Sequence, residues 1–337
     1  MVAGLAPAYH GPPELTPLRA LDSWTIDVPA LLVILLAAGL YLAGMRRQRR
    51  AGRAWPAGRA GAFLGGGLGV LVIATMSGVG VYQNVLFYVR SLQTILLLLV
   101  APLFLAMGKP LTLAIETLPR SGPRIAAAIR SRTARILTFP AITAGAVVVI
   151  PFVLYFSPWY AAGLTSSPVR ELTYLALIVP GFAFFWTLLR VDPVPRAYPY
   201  LVALWVTAVE VVGDVVLGLA VIADAHLIAG SYYHALARPW GPSLATAQVI
   251  GGGVLWILGD IVGLPFVAVQ LIQMIREDEG EAARVDAELD AREAVRAAGA
   301  AGSLAADAAA SSGPAAERPW WESDPRFAGR FRPPTAR

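Results

Sequence analysis

The sequence predicts an all-α fold: a polytopic bundle of seven transmembrane helices, N-terminus outside and C-terminus cytoplasmic. Three observations carry this expectation. Hydrophobic residues make up 57% of the 337-residue chain and charged residues only 15%, against about 25% charged in soluble domains. Seven stretches each approach the roughly 20 mostly apolar residues needed to cross a bilayer, and lipid admits such stretches only as helices or closed barrels. Finally, arginine and lysine are concentrated in alternate loops, which sets the orientation.

Taken in order, residues 1–27 read as an external N-terminal tail. They lack the basic start of a signal peptide, and Pro12, Pro13 and Glu14 break the early sequence. The membrane domain is expected at 28–275, with spans at 28–45, 60–80, 85–107, 136–156, 171–190, 198–222 and 246–275. Basic loops follow the first span (Arg46, Arg47, Arg49, Arg50, Arg53, Arg59), the third (Lys109, Arg120, Arg124, Arg130, Arg132, Arg135) and the fifth (Arg190, Arg196). The alternate loops 81–84 and 157–169 have no Lys or Arg, and 223–245 has only Arg238. Residues 276–298 carry opposite charges at helical spacing, such as Glu288 with Arg292, and predict a cytoplasmic helical extension. Residues 299–337 read as a flexible cytoplasmic tail, Ala-, Gly- and Ser-rich at first. It ends in a Trp320-Trp321 segment beside arginines, suited to the membrane interface or to a partner.

Composition narrows the chemistry. No cysteine is present, the five methionines are scattered, and the histidines are limited to His10, His226 and His234. That is a poor supply of soft or imidazole ligands. The net charge of +5 belongs largely to short loops, so it marks topology and contact with membrane lipid, not nucleic acid. Gly65-Gly66-Gly67 follows no strand and has no lysine, so it is no phosphate loop. No nucleophile–base–orienter set occurs, and the chain is not expected to be an enzyme.

The informative exceptions are charges inside the apolar runs. Arg90 interrupts the third span, at a cost of roughly 2.5–3.5 kcal/mol on insertion scales. Glu210, Asp214 and Asp260 interrupt the sixth and seventh. Glu210 and Asp214 are four residues apart and share one helix face. Arg90 and Asp214 fall at comparable depth, which predicts an intramembrane charge pair; the alternative has Arg90 snorkelling outward and Asp214 alone. Glu210 and Asp260 are expected to bond to neighbouring helices. In the outer loop, Asp224, His226 and His234 form a weak candidate metal set.

Several of these residues also carry a resemblance. Phe87, Gln93, Ala101, Pro102, Gly108 and Pro110 keep the frame of F-x-x-H-M-x-Q-H, then A-P and G-x-P. Arg170-Glu171-Leu172, Phe184-Phe185-Trp186, Asp192-Pro193, Trp240-Gly241 and Gln248, Gly251, Gly252, Gly253, Trp256, Gly259 follow in order and spacing. Together they resemble the CtaG-type cytochrome c oxidase assembly proteins, and the Trp-Trp-acid ending is similar to that of actinobacterial members. The resemblance implies a role in maturing the respiratory oxidase at a bacterial plasma membrane, with oxidase subunits as partners and copper as the metal. It also implies four histidine positions in the membrane, held here by Arg90, Thr94, Tyr174 and Asp214; Ala247 replaces an aspartate and Asp260 keeps an acid. These departures predict a member whose metal site is lost. The alternative is a copper or small-solute transporter, with Arg90, Glu210, Asp214 and Asp260 lining a polar path.

Overall fold

The computed structural model of the chain describes residues 9–190, 192–195, 198 and 200–311; Trp320 and Trp321 lie outside them. Among the described residues the chain is all helix and turn. The helices are α1 (Pro17–Asp22), α2 (Val28–Arg50), α3 (Ala57–Tyr82), α4 (Phe87–Met107), α5 (Pro110–Thr117), α6 (Gly122–Ile129), α7 (Arg132–Leu137), α8 (Pro140–Tyr155), α9 (Pro158–Thr165), α10 (Ser167–Leu189), α11 (Tyr200–Ala223), α12 (Gly230–Leu236) and α13 (Leu244–Ser311). Six are long and apolar enough to cross a membrane, and a seventh span results if α8 and α9, bent by 73°, count as one. The bend follows from Pro158, which cannot continue the hydrogen-bond ladder. Ser157 then caps α9, its hydroxyl accepting from the Trp159 amide at 3.2 Å.

Two compact units divide the chain, residues 1–274 and 275–337. In the first, α4 is the central helix, with 72% of its most apolar stretch buried against 17% for α2. Leu97, Leu98, Leu99 and Ala101 of α4 are essentially inaccessible, whereas Leu32, Leu36 and Leu40 of α2 are exposed, as a lipid-facing helix requires. Pro102 offers no N–H to the Leu98 carbonyl four residues back, and α4 widens into a π-helical turn over Leu96–Val100. Against that carbonyl lies Gly181 of α10, where any Cβ would collide with Leu98 O and come within 3.0 Å of Pro102 Cγ. Likewise α11 and α13 cross at Gly218 and Gly252, a Cβ on either meeting the other's carbonyl oxygen at 2.6 Å.

The structure departs from the sequence reading in three places. The second span breaks at Ser77, and residues 9–27, expected as a tail, pack over the break. The Thr25 amide donates to the Met76 carbonyl at 2.8 Å, Tyr82 OH donates to the Pro13 carbonyl at 2.9 Å, and the rings of Tyr9 and Tyr82 meet Trp240 edge-on. Arg46 to Arg50, expected in a loop, form the last turns of α2, where cations complement the helix C-terminus. In the second unit, α13 continues to Ser311, so residues 299–311 are helical instead of flexible. Alanine dominates that stretch, and it has the highest helix propensity. The exposed pairs Glu281–Arg284 and Glu288–Arg292 add a few tenths of a kcal/mol at most.

One acid is structural. Asp192, buried after α10, caps α5 by accepting from the amides of Leu111 and Thr112 at 3.1 and 2.9 Å and from the Thr112 hydroxyl. Asp192→Ala is expected to destabilise the detergent-purified protein by about 2 kcal/mol. Asp192→Asn, which keeps one carbonyl acceptor, is expected to recover part of that loss in the same thermal melt.

Candidate functional site

The first turns of α4 hold Arg90, Ser91, Gln93 and Thr94, all at most 2% exposed. A charged side chain that deep must be positioned by other polar groups. Arg90 Nη1 donates to Gln83 Oε1 at 3.0 Å, and Tyr174 OH of α10 donates to the same oxygen at 3.0 Å. Gln83 Nε2 in turn donates to the Gly80 carbonyl. Its side chain is therefore fixed at both ends, with its oxygen aimed at the guanidinium. The Arg90 guanidinium carbon stands 5.7 Å from the centre of the Tyr160 ring, a cation–π distance. Arg90 Nη2 has no hydrogen-bond partner and lies against Gly163 of α9, where a Cβ would come within 2.8 Å of it.

Around this clamp the polar groups close on themselves. Gln93 Nε2 donates to the Ala74 carbonyl at 2.8 Å and to Tyr174 OH at 3.4 Å. Thr94 Oγ1 donates to the Arg90 carbonyl at 3.0 Å and meets Tyr155 OH at 3.1 Å. Tyr160 and Tyr233 share a hydrogen bond of 3.0 Å, and both rings contact Phe87. Gln83 is also the inner wall of a cavity of about 270 Å³ that Thr25, Asp27, Asn84 and Arg170 line.

Arg90, Thr94 and Tyr174 are thus brought into one network, but Asp214 is not. The expected Arg90–Asp214 ion pair is absent from the contacts among the described residues, where Arg90 takes a neutral amide partner instead. Asp214 points from α11 toward α13, and a Cβ on Gly259 would touch its Oδ2. Glu210 lies on the same face beside Gly263, and Asp260 accepts from Trp256 Nε1 at 2.9 Å. Glu210 Oε1, Asp214 Oδ2 and Asp260 Oδ1 have no hydrogen-bond partner. The hydrogen bonds expected of Asp260 therefore come from its own helix, one turn back.

In the loop between α11 and α12, the Asp224 carboxylate accepts from the His226 amide at 2.9 Å and lies 3.5 Å from its Nδ1, while the His226 ring is 96% exposed. His234 is exposed on α12 and His10 is exposed near the N-terminus. Among the described residues no three His, Cys, Asp or Glu side chains are placed to hold a metal ion. Copper does not fit the Arg90 network either. Guanidinium, amide, hydroxyl and phenol groups are a poor donor set, and the cation repels a second one.

Gln83, Tyr155, Tyr160, Gly163 and Tyr233 escaped the sequence reading. A signal was present, since a tyrosine in an apolar span needs a partner for its hydroxyl. Tyr155 is such a tyrosine, while Tyr160 and Tyr233 fall in stretches read as loops, where no such demand arises.

Residues 39–277 match the model of the family described as cytochrome c oxidase caa3 assembly factor (Caa3_CtaG). The chain belongs to this family. Similar relatives of this caa3 assembly-factor member are proteins of Mycobacterium bovis and Mycobacterium tuberculosis, each 28% identical over 291 residues, and one of Mycobacterium leprae, 28% identical over 288. These matches cover 84%, 84% and 83% of the chain. They take in only 44%, 44% and 43% of the relatives, so the chain spans less than half their length. All three are described as uncharacterized proteins. No solved structure matches the chain.

Proposed function

We propose that this caa3 assembly-factor member serves the assembly of a cytochrome c oxidase as a non-enzymatic membrane partner of oxidase subunits, its membrane metal site replaced by a guanidinium. The reading places it in a bacterial plasma membrane with the N-terminus outside. The observation that carries it is Arg90, which is fully buried, clamped by Gln83 and Tyr160, and joined to Thr94 and Tyr174 in one network. A fixed cation holds the polar side chains together there, the part a metal would otherwise play. The Arg90–Asp214 charge pair is no part of this proposal. Transport gains no support, because the cavities at α2, α5 and the outer mouth are lined by residues other than Arg90, Glu210, Asp214 and Asp260.

Two measurements test the proposal. Deleting the chain from its host should lower assembled oxidase, read from haem absorbance and subunit abundance in membranes; unchanged oxidase would sink the assembly role. Copper titration of the detergent-purified protein should leave the wild type empty. A triple variant, Arg90→His with Thr94→His and Tyr174→His, should take up about one copper per chain, since imidazole suits copper. Tight stoichiometric copper in the wild type would overturn the replacement of the metal.

A further inference from the structure

The basic end of the membrane unit holds two adjoining cavities that the oxidase-assembly role does not use. One is an apolar groove of about 400 Å³ between α2 and α5. Small residues open it: Ala37, Ala43 and Gly44 on α2 face Ala114 on α5. At its floor the helices nearly touch, a Cβ on Gly44 meeting Leu113 Cγ at 2.9 Å. The second cavity, also about 400 Å³, is lined by Arg47, Leu118, Pro119, Arg120 and Ser121. Arg47 and Leu118 belong to both, so the groove runs directly into the basic pocket.

We infer that this pair of cavities is a binding site for an anionic phospholipid, with one acyl chain in the α2–α5 groove and the phosphate between Arg47 and Arg120. Length supports the assignment. From Ala37 to Arg47 a helix rises about 15 Å, roughly half the hydrocarbon thickness of a bilayer and so the depth of one leaflet. Charge supports it as well. Arg47 keeps one nitrogen on the Thr117 carbonyl at 3.2 Å, which holds its guanidinium at the junction. Ser121 stands at the start of α6 and makes no side-chain cap bond, and no acid stands in that first turn to compete for the arginines. The nearby acid, Glu116, is engaged by Gln48 Nε2 and is absent from the pocket wall. Basic pockets between membrane helices recognise anionic head groups by this arrangement.

The test is a thermal melt of the full-length protein in detergent, titrated with phosphatidylglycerol, with phosphatidylcholine of the same chains, and with inorganic phosphate. Phosphatidylglycerol should raise the melting temperature saturably, and the other two should not. Arg47→Gln with Arg120→Gln should weaken that response by roughly thirty-fold, and Arg47→Lys with Arg120→Lys should restore most of it. Ala43→Phe, which fills the groove and keeps both arginines, should abolish the response by itself. An equal shift with phosphatidylcholine would mean unspecific lipid wetting, and an equal shift with phosphate would mean a free-anion site. Either result overturns the inference, as would a full response in Ala43→Phe.

Discussion

Gly181→Ala is expected to cost the protein at least about 3 kcal/mol, and Gly145→Ala nothing or a slight gain. Both replace a glycine inside a helix by alanine, which intrinsic propensity favours by about 1 kcal/mol. They differ in what the new methyl meets. Nothing lies within 4 Å of a Cβ at Gly145, whereas at Gly181 it would overlap the Leu98 carbonyl and press on Pro102. The first obstacle is backbone in the widened stretch of α4 and the second is the proline ring that follows it, both buried and with no side-chain rotamer to yield. Forcing a methyl into a tight backbone contact separates the helices and costs more than ordinary overpacking. Thermal melts of the two variants in one detergent should therefore move in opposite directions. If both shifted alike, the α4–α10 contact would not be the close approach described.

Arg90→Met is expected to move stability the other way, giving a protein more stable than the wild type by about 1 kcal/mol. Burying the arginine costs roughly 3 kcal/mol on insertion scales, while its bond to Gln83 and its contact with the Tyr160 ring return about 1 each. Gln83 would stay satisfied after the substitution, because Tyr174 OH still donates to its oxygen. A flexible apolar chain of similar length fills the space beside Tyr160 and Gly163, and such replacements of buried charges are often stabilising. The same variant should fail to support oxidase assembly in the host. That separation is the informative result: a stabilising change that removes function marks Arg90 as kept for its work and not for the fold. A variant both less stable and fully active would reverse the assignment.

The spans were legible because each depends on composition over about 20 residues, which the chain displays openly. Arg90 was legible too, since a charge in that setting demands explanation. Its partner was not. Depth in the bilayer can be counted along a helix, and Asp214 shares the depth of Arg90 by that count. The direction a side chain faces depends on which neighbour each helix packs against. The crossing at Gly218 and Gly252 brings α11 to α13, and Asp214 and Glu210 turn with it toward Gly259 and Gly263. Gln83 was missed for a related reason. It follows the end of α3 in a stretch read as a loop, and only the turn between α3 and α4 folds it under Arg90. The helical course of 299–311 was hidden by its glycines and serines, which suggested a linker while the alanines decided the outcome.

The packing of residues 9–27 across the break at Ser77 has a consequence for how the molecule is made. Tyr9 rests on Trp240, which is synthesised after nearly all the spans. The contacts with Met76 and Tyr82 can form once α3 is in place, whereas the ring contact with Trp240 is completed only when the loop between α12 and α13 has been made. Resistance of residues 9–27 to protease in opened membranes would serve as a clock for completed biogenesis. A chain stalled anywhere before Trp240 would be clipped more readily within residues 9–27 although its early helices were already in place.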